Sequence, residues 1–169
     1  MLIQIFEGLY GFIWDDYSQN NCNTYLIDAS KKILVDPGHA HLFVNVQRGL
    51  DALRMSLSDI DLVLATHGHP DHIEAAAFLK GTSRFTMSRT EYDYIVELTG
   101  GRYREPQPDF FLQEGDLEVG SDHFAVFDED GGAVMAVKRP VTALIVLAPA
   151  GDRIYPQGSH CFLLRRGCL

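Results

Sequence analysis

Apolar residues fall into short blocks over the first part of the chain. Residues 2–6 and 9–14 alternate or run apolar with aromatic and β-branched side chains, and residues 24–28 and 33–35 do the same after polar turns, which is the pattern of strands. Together they predict an opening antiparallel set. Asp36-Pro37-Gly38 closes the last of them, and over residues 41–55 Leu42, Val46, Leu50 and Leu53 recur at spacings of three to four, the stripe of a core-facing helix. Residues 61–65 (DLVLA) are short and almost wholly apolar, as expected of a strand buried on both faces. A helix is expected over residues 73–80, with Pro70 tolerated in its first turn. A strand at 84–87, a helix at 90–98, a glycine- and proline-marked loop at 100–109 and hairpin strands at 117–119 and 124–127 follow. Residues 141–150 are apolar but span about half of the ~20 residues that a membrane helix needs, so they read as a buried strand.

Length and composition narrow the setting. The chain has 169 residues, 46% hydrophobic and 22% charged, which suits one globular domain over 1–169 with about 70% of its unfolded surface buried and no need of disulfide staples. No repeat, low-complexity tract or linker divides it. A formal charge of −9 repels phosphate backbones and anionic lipid, so neither a nucleic-acid nor a membrane partner is expected. Cys22, Cys161 and Cys168 are odd in number and lack a Cys-x-x-Cys spacing, which excludes a legible disulfide framework or thiolate zinc site. The first eleven residues carry Glu7 and no basic residue, so no export signal is read and a cytoplasmic location is expected.

The chemistry concentrates at Thr66-His67-Gly68-His69-Pro70-Asp71-His72, where a strand ends and a helix begins. Three imidazoles and a carboxylate within six residues fill a core poorly, and they are costly to crowd together unless a cation holds them. From the 7 histidines of the chain, a chance His-x-His-x-Asp-His has odds of about one in a thousand. His67 and His69 can face one way from an extended turn, while Asp71 and His72 point from the first turn of the helix. Metal ligation by His67, His69, Asp71 and His72 follows, and zinc suits an imidazole-rich set, with iron and manganese left open. A pair of such ions lowers the pKa of a shared water from ~15.7 toward ~7. Asp36 reads either as a turn starter or as part of the site, whereas His39, His41 and His123 read as surface histidines.

With its flanks, this segment resembles the metallo-β-lactamase superfamily, whose signature is His-x-His-x-Asp-His after an apolar strand. The similarity extends to Asn23-Thr24-Tyr25-Leu26-Ile27, Val35-Asp36-Pro37-Gly38 and Glu114-Gly115-Asp116-Leu117, and covers residues 1–127. The resemblance implies an α/β protein of α+β character, an αββα sandwich incomplete in its C-terminal half, and hydrolysis of a small molecule such as an ester, thioester or lactone. It further implies that His67 and His69 bind one metal, that Asp71 and His72 bind a second, that Asp71 is the catalytic carboxylate, and that Asp36 braces the loop. A catalytically inactive metal-binding protein of the same fold and an iron-binding oxidoreductase relative are the alternatives. The second is weakened because the di-iron electron-transfer branch resembles His-x-Glu-x-Asp, with Glu where this chain has His69.

Residues 128–169 depart from the family pattern. A Thr-Pro-Gly-His turn, whose histidine would complete the first metal site, is absent, and the later histidine is His160. Asp152 stands where a bridging aspartate is expected, but Pro149-Ala150-Gly151-Asp152 also reads as a hairpin turn. The loop 100–111, with Arg102, Tyr103, Arg104, Phe110 and Phe111, reads equally as a lid or as a plain connection. Codons AAA-CGC-CCG-GTC-ACT for residues 138–142 would read Thr-Pro-Gly-His two bases later, so a shifted reading frame is one origin of this ending. Sequencing the gene across codons 128–169 checks it: absence of that tetrapeptide from both shifted frames removes the idea.

Overall fold

In the computed structural model the described residues are 1–113 and 115–120, apart from the side chains of Phe6 and residues 115–117, together with the backbone of 122–129, 132–138 and 143–145. Among them, seven strands make one sheet in chain order: β1 (Leu2–Phe6), β2 (Leu9–Phe12), β3 (Thr24–Asp28), β4 (Lys32–Val35), β5 (Leu62–Leu64), β6 (Arg84–Ser88) and β7 (Phe110–Leu112). β1 to β4 are antiparallel and β4 to β7 parallel. This is the expected opening meander followed by crossover units. β8 (Gly115–Val119), β9 (Asp122–Glu129), β10 (Gly132–Lys138) and β11 (Ala143–Ile145) form a second, antiparallel sheet. β10 runs against β6. The result is the metallo-β-lactamase type of α/β architecture, a mixed sheet with helices.

Helices fill the crossovers. α1 (Val44–Ala52) joins β4 to β5, α2 (Pro70–Ile73) opens the path from β5 to β6, and α3 (Arg89–Leu98) leads from β6 toward β7. Leu34 of β4, Val63 of β5, Val46 and Leu50 of α1, and Ile95 of α3 meet in one core, each fully or nearly fully buried. Burial of such a side chain contributes about 1.5–3 kcal/mol. β5 is apolar throughout because parallel neighbours on both edges and helices on its face leave it no wet side.

β7 lies in what reads from the sequence as a loop and β10 where no strand is expected, and three further elements depart from the sequence pattern, each for a local reason. The strand expected at 9–14 stops at Phe12, because the Trp14 amide donates to Asn23 Oδ1 at 2.8 Å and its indole N–H to the Asp16 carbonyl at 2.9 Å. The helix expected at 41–55 is a 3₁₀ turn, Ala40–Leu42, followed by α1, and Arg54 beyond it adopts a left-handed φ of 58°. The helix expected at 73–80 begins earlier, as α2, and tightens into a 3₁₀ segment, Glu74–Leu79. The Ala75 amide donates to the Gly38 carbonyl at 2.9 Å, so it is not available to the α-helical i→i−4 ladder. Tertiary hydrogen bonding thus overrides helix propensity here.

α1 approaches β2 through Gly49, where an added Cβ would lie 2.3 Å from the ring of the buried Phe12. Alanine is the better helix former by roughly 1 kcal/mol, yet overpacking of a filled core costs about 1–3 kcal/mol. Gly49→Ala should therefore lower stability in urea denaturation, and Phe12→Leu in the same chain should recover part of the loss. A stabilised Gly49→Ala would show that this contact is not tight.

Candidate metal centre

The parallel pairing of β4 and β5 brings the residues after both strands to the same edge of the sheet. Asp36 follows β4, is buried, and takes a left-handed φ of 52°, which aspartate tolerates better than most side chains. Its amide donates to the Leu64 carbonyl at 2.8 Å, and its own carbonyl accepts from the Thr24 hydroxyl at 2.6 Å. The carboxylate is consequently aimed across to the segment after β5. Oδ1 accepts from the Thr66 amide at 2.8 Å, Oδ2 accepts from the Thr66 hydroxyl at 2.9 Å, and Oδ2 also lies 2.9 Å from Nδ1 of His72. Asp36 is therefore more than a turn starter.

The histidines gather above it. His67 and His72 are buried, with ring centroids 3.9 Å apart, and His69 is exposed with its ring 4.8 Å from that of His67. The Thr66 hydroxyl lies 2.8 Å from His67 Nδ1. Pro70 at the first position of α2 presets the helical φ, so Asp71 and His72 emerge from one turn, with Asp71 Oδ2 3.8 Å from His72 Nε2. Asn20, from the long β2–β3 loop, donates to Asp71 Oδ2 at 3.1 Å. Gly68 lets α3 close on the loop: its amide donates to Glu91 Oε2 at 2.9 Å, and a Cβ there would lie 2.8 Å from the Glu91 carbonyl oxygen. His67 thus meets His69 and His72, and Asp71 stands beside His72, with Asn20, Thr66 and Glu91 supporting the segment; among the described residues, the three donors whose ligand atoms lie within 4.8 Å of one another are those of His39, His41 and Glu74. Distance along the chain concealed Asn20 and Glu91.

The electrostatics of this pocket favour positive charge. Burial pushes the His72 imidazole down, but the adjacent Asp36, through charge and contact, and then Asp71 outweigh it, so His72 holds its proton above the ordinary histidine range. Burial, with Asp36 and Asp71 adding to it, drives the nearby Cys22 thiol well above its usual value, which makes it inert as a nucleophile. One imidazole against two carboxylates, with two further imidazoles beside it, is a donor set whose chemistry suits a divalent cation. With Nδ1 of His67 and of His72 engaged by Thr66 and Asp36, Nε2 is the nitrogen each would turn to a metal.

A neighbouring group was read from the sequence as surface. His39 and His41 flank the 3₁₀ turn after β4, and one ligand atom from each, with one carboxylate oxygen of Glu74, lie within 4.8 Å of one another. Glu74 Oε2 sits 2.8 Å from His39 Nδ1, and Oε1 accepts from the Tyr103 hydroxyl at 2.7 Å. Burial alone would raise the Glu74 carboxyl, but these bonds and that of the Ala40 amide outweigh it and hold it below the usual range. The sequence signal was there: His-x-His after the Pro-Gly turn and a glutamate two residues past His72. Tyr103 also shows that the loop before β7 is tied down, a tie reinforced by Tyr92 Oη donating to the Arg104 carbonyl and by Lys80 paired with Glu105. His123 belongs to β9, where a turn was expected. Asp152 and His160 lie outside the described residues.

A mixed sheet with imidazole and carboxylate side chains beyond the carboxyl ends of two parallel strands is an arrangement of the metallo-β-lactamase type of α/β fold. A family model for the metallo-beta-lactamase superfamily matches residues 17–132, and the chain belongs to that superfamily. It is 43% identical over 53 residues, 31% of its own length and 25% of the relative's, to a protein of Methanocaldococcus jannaschii described as a probable metallo-hydrolase. Among solved structures it superposes on the metallo-beta-lactamase GOB-18 of Elizabethkingia meningoseptica with a TM-score of 0.71 at 20% identity, over 90% of this chain and 63% of that one. The subclass B3 enzyme BJP-1 of Bradyrhizobium japonicum gives 0.69 at 18% identity, over 87% and 62%. The chain thus spans about three fifths of the length of these structures and a quarter of the curated relative, and the likeness to the structures is one of fold.

Asn at position 36 would keep the shape and the tolerated left-handed φ while removing the charge. Asp36→Asn should fold but lose about 1–3 kcal/mol, the scale of an unsatisfied buried polar group, and should weaken zinc retention by about 10–100-fold, the scale of a lost support behind a ligand. Denaturant melts and competition with a chelator measure the two effects. Wild-type values for both would remove Asp36 from its bracing role.

Proposed function

We propose that the protein is a zinc-dependent hydrolase of a small ester, thioester or lactone, acting as a single domain over residues 1–169 in the cytoplasm. The observation that carries this reading is the set of contacts within the motif: the His67 ring against those of His69 and His72, Asp71 beside His72, and His72 on the buried Asp36 carboxylate. Membership of the superfamily supports it, and so does the hydrolase description of the archaeal relative. Among the described residues no helix is long and apolar enough to cross a membrane.

His67 and His69 would hold one ion, and Asp71 and His72 a second. When bound, the ion supplies Lewis acidity and lowers the pKa of water from ~15.7 toward ~7. The remaining work belongs to the chain. Asn20 holds Asp71 through Oδ2, leaving Oδ1 to orient the attacking water and take its proton. Asp36 and Thr66 fix the rings of His72 and His67, so the ligand set is rigid before substrate arrives. Two histidines on one side and an Asp–His pair on the other amount to two half-filled sites, and a three-ligand site needs more. No Thr-Pro-Gly-His follows in 128–169, so at most one zinc ion is held well there and turnover is slow, since misplacement by about 1 Å costs on the order of 10²-fold.

His69 is exposed, so His69→Ala should leave the fold intact while weakening zinc retention at this centre by at least about 10–100-fold. Circular dichroism and chelator competition read the two outcomes, and unchanged retention would take His69 out of the ligand set. Asp71→Asn should keep part of the metal and abolish the slow, chelator-sensitive cleavage of a chromogenic ester, thioester or lactone panel. Cleavage equal to wild type would sink the role of the carboxylate. Restoring a Thr-Pro-Gly-His segment with a Gly-Asp continuation after Phe127 should raise hydrolysis by orders of magnitude, and a vigorous hydrolase in the present sequence would refute the half-filled site.

A further inference from the structure

We infer that His39, His41 and Glu74 form a second metal site, separate from the His67–His72 centre, which takes a zinc-like divalent ion and fastens the loop after β4 to the Glu74–Leu79 segment. Three donors from two chain segments already lie within 4.8 Å of one another. Ligand atoms around a tetrahedral zinc ion are about 3.3 Å apart, so side-chain rotation over roughly an ångström closes the set. The 3₁₀ turn Ala40–Leu42 follows His39 and contains His41, so backbone geometry holds both imidazoles on one short arc, with ring centroids 5.2 Å apart. The Ala75 amide on the Gly38 carbonyl fixes the opposite wall.

The ion pair between His39 and Glu74 accounts for those two residues alone. His41 is exposed and contributes nothing to that pair, yet its ligand atom comes within reach of both partners. The Glu74 carboxylate is also oriented as ligating carboxylates are, through bonds from outside the donor set: Tyr103 Oη donates to Oε1 at 2.7 Å and the Ala40 amide reaches Oε2 at 3.4 Å. Two imidazoles and a carboxylate with no thiolate select zinc, cobalt, nickel or copper(II) over magnesium or calcium. A three-ligand set of this composition leaves a fourth position for water. Because Tyr103 belongs to the loop before β7, an ion on Glu74 also steadies that loop. The surplus of negative charge, −9 over the chain, raises the local concentration of any divalent cation.

The full chain, stripped of metal, is titrated with zinc chloride by calorimetry in three forms: wild type, His41→Gln and His69→Ala. His41→Gln should lose one class of binding, with at least about a tenfold weaker affinity, and keep the class that His69→Ala removes. His69→Ala should show the converse, so failure of the hydrolase centre and failure of this site are read apart. On the wild-type chain, nitrogen-15 resonances of the imidazoles give a second readout that needs no variant. Zinc should move the ring nitrogens of His39 and His41 to the shifts of coordinated imidazole. Zinc uptake by His41→Gln identical to wild type, or His39 and His41 resonances unmoved at saturating zinc, would overturn the site and leave the His39–Glu74 contact as an ion pair only.

Discussion

The Asp36 carboxylate, buried among apolar strands and bonded to the Thr66 amide, the Thr66 hydroxyl and His72, is the contact on which the rest of this edge depends. A buried charge with so little water must be satisfied locally, and each of its partners belongs to the segment after β5. That requirement dictates where Thr66 sits, how the His67 ring is turned, and where α2 begins. Residue 36 makes these contacts from a left-handed backbone, φ 52°, which aspartate tolerates better than most side chains.

Two supports keep this arrangement from relaxing. On one side α3 closes on Gly68, where only a hydrogen atom fits beneath the Glu91 carbonyl. On the other, the Ala75 amide reaches across to Gly38 and tightens the helix that follows Asp71 and His72. Both supports are anchored in the core that α1, β4, β5 and α3 share. The side chains of the His67–His72 segment are consequently ordered by folding itself.

The same loop geometry gives the chain two clusters of donors. Those of THGHPDH reach Asp36 through His72, whereas His39 and His41 flank the turn after β4 and meet Glu74 just past α2. One carboxylate of the second cluster ties in Tyr103, so the loop before β7 is coupled to the turn after β4 through a single side chain. Coupling of this kind is local packing and hydrogen bonding, and requires no longer pathway.

Much of the fold could be read along the chain because hydrophobic period is a local property: the apolar run of β5, the stripe of α1 and the proline at the head of α2 each announce themselves within ten residues. The motif of His67, His69, Asp71 and His72 was legible for the same reason, its four side chains being packed into six positions. What periodicity cannot contain is which distant groups complete a polar network. Asn20 at Asp71, Glu91 at Gly68, Ala75 on Gly38, and the approach of Glu74 to His39 and His41 each join segments that only the parallel pairing of β4 with β5 and the packing of α3 bring together. The sequence alone determined the opening strands and β5, the class of fold and the metal-type motif, since these follow from residue type at short range. The tertiary structure decided the role of Asp36, the tightening of the helix after Ile73 and the second donor cluster, because a buried carboxylate or amide takes whichever partner the packed chain presents to it.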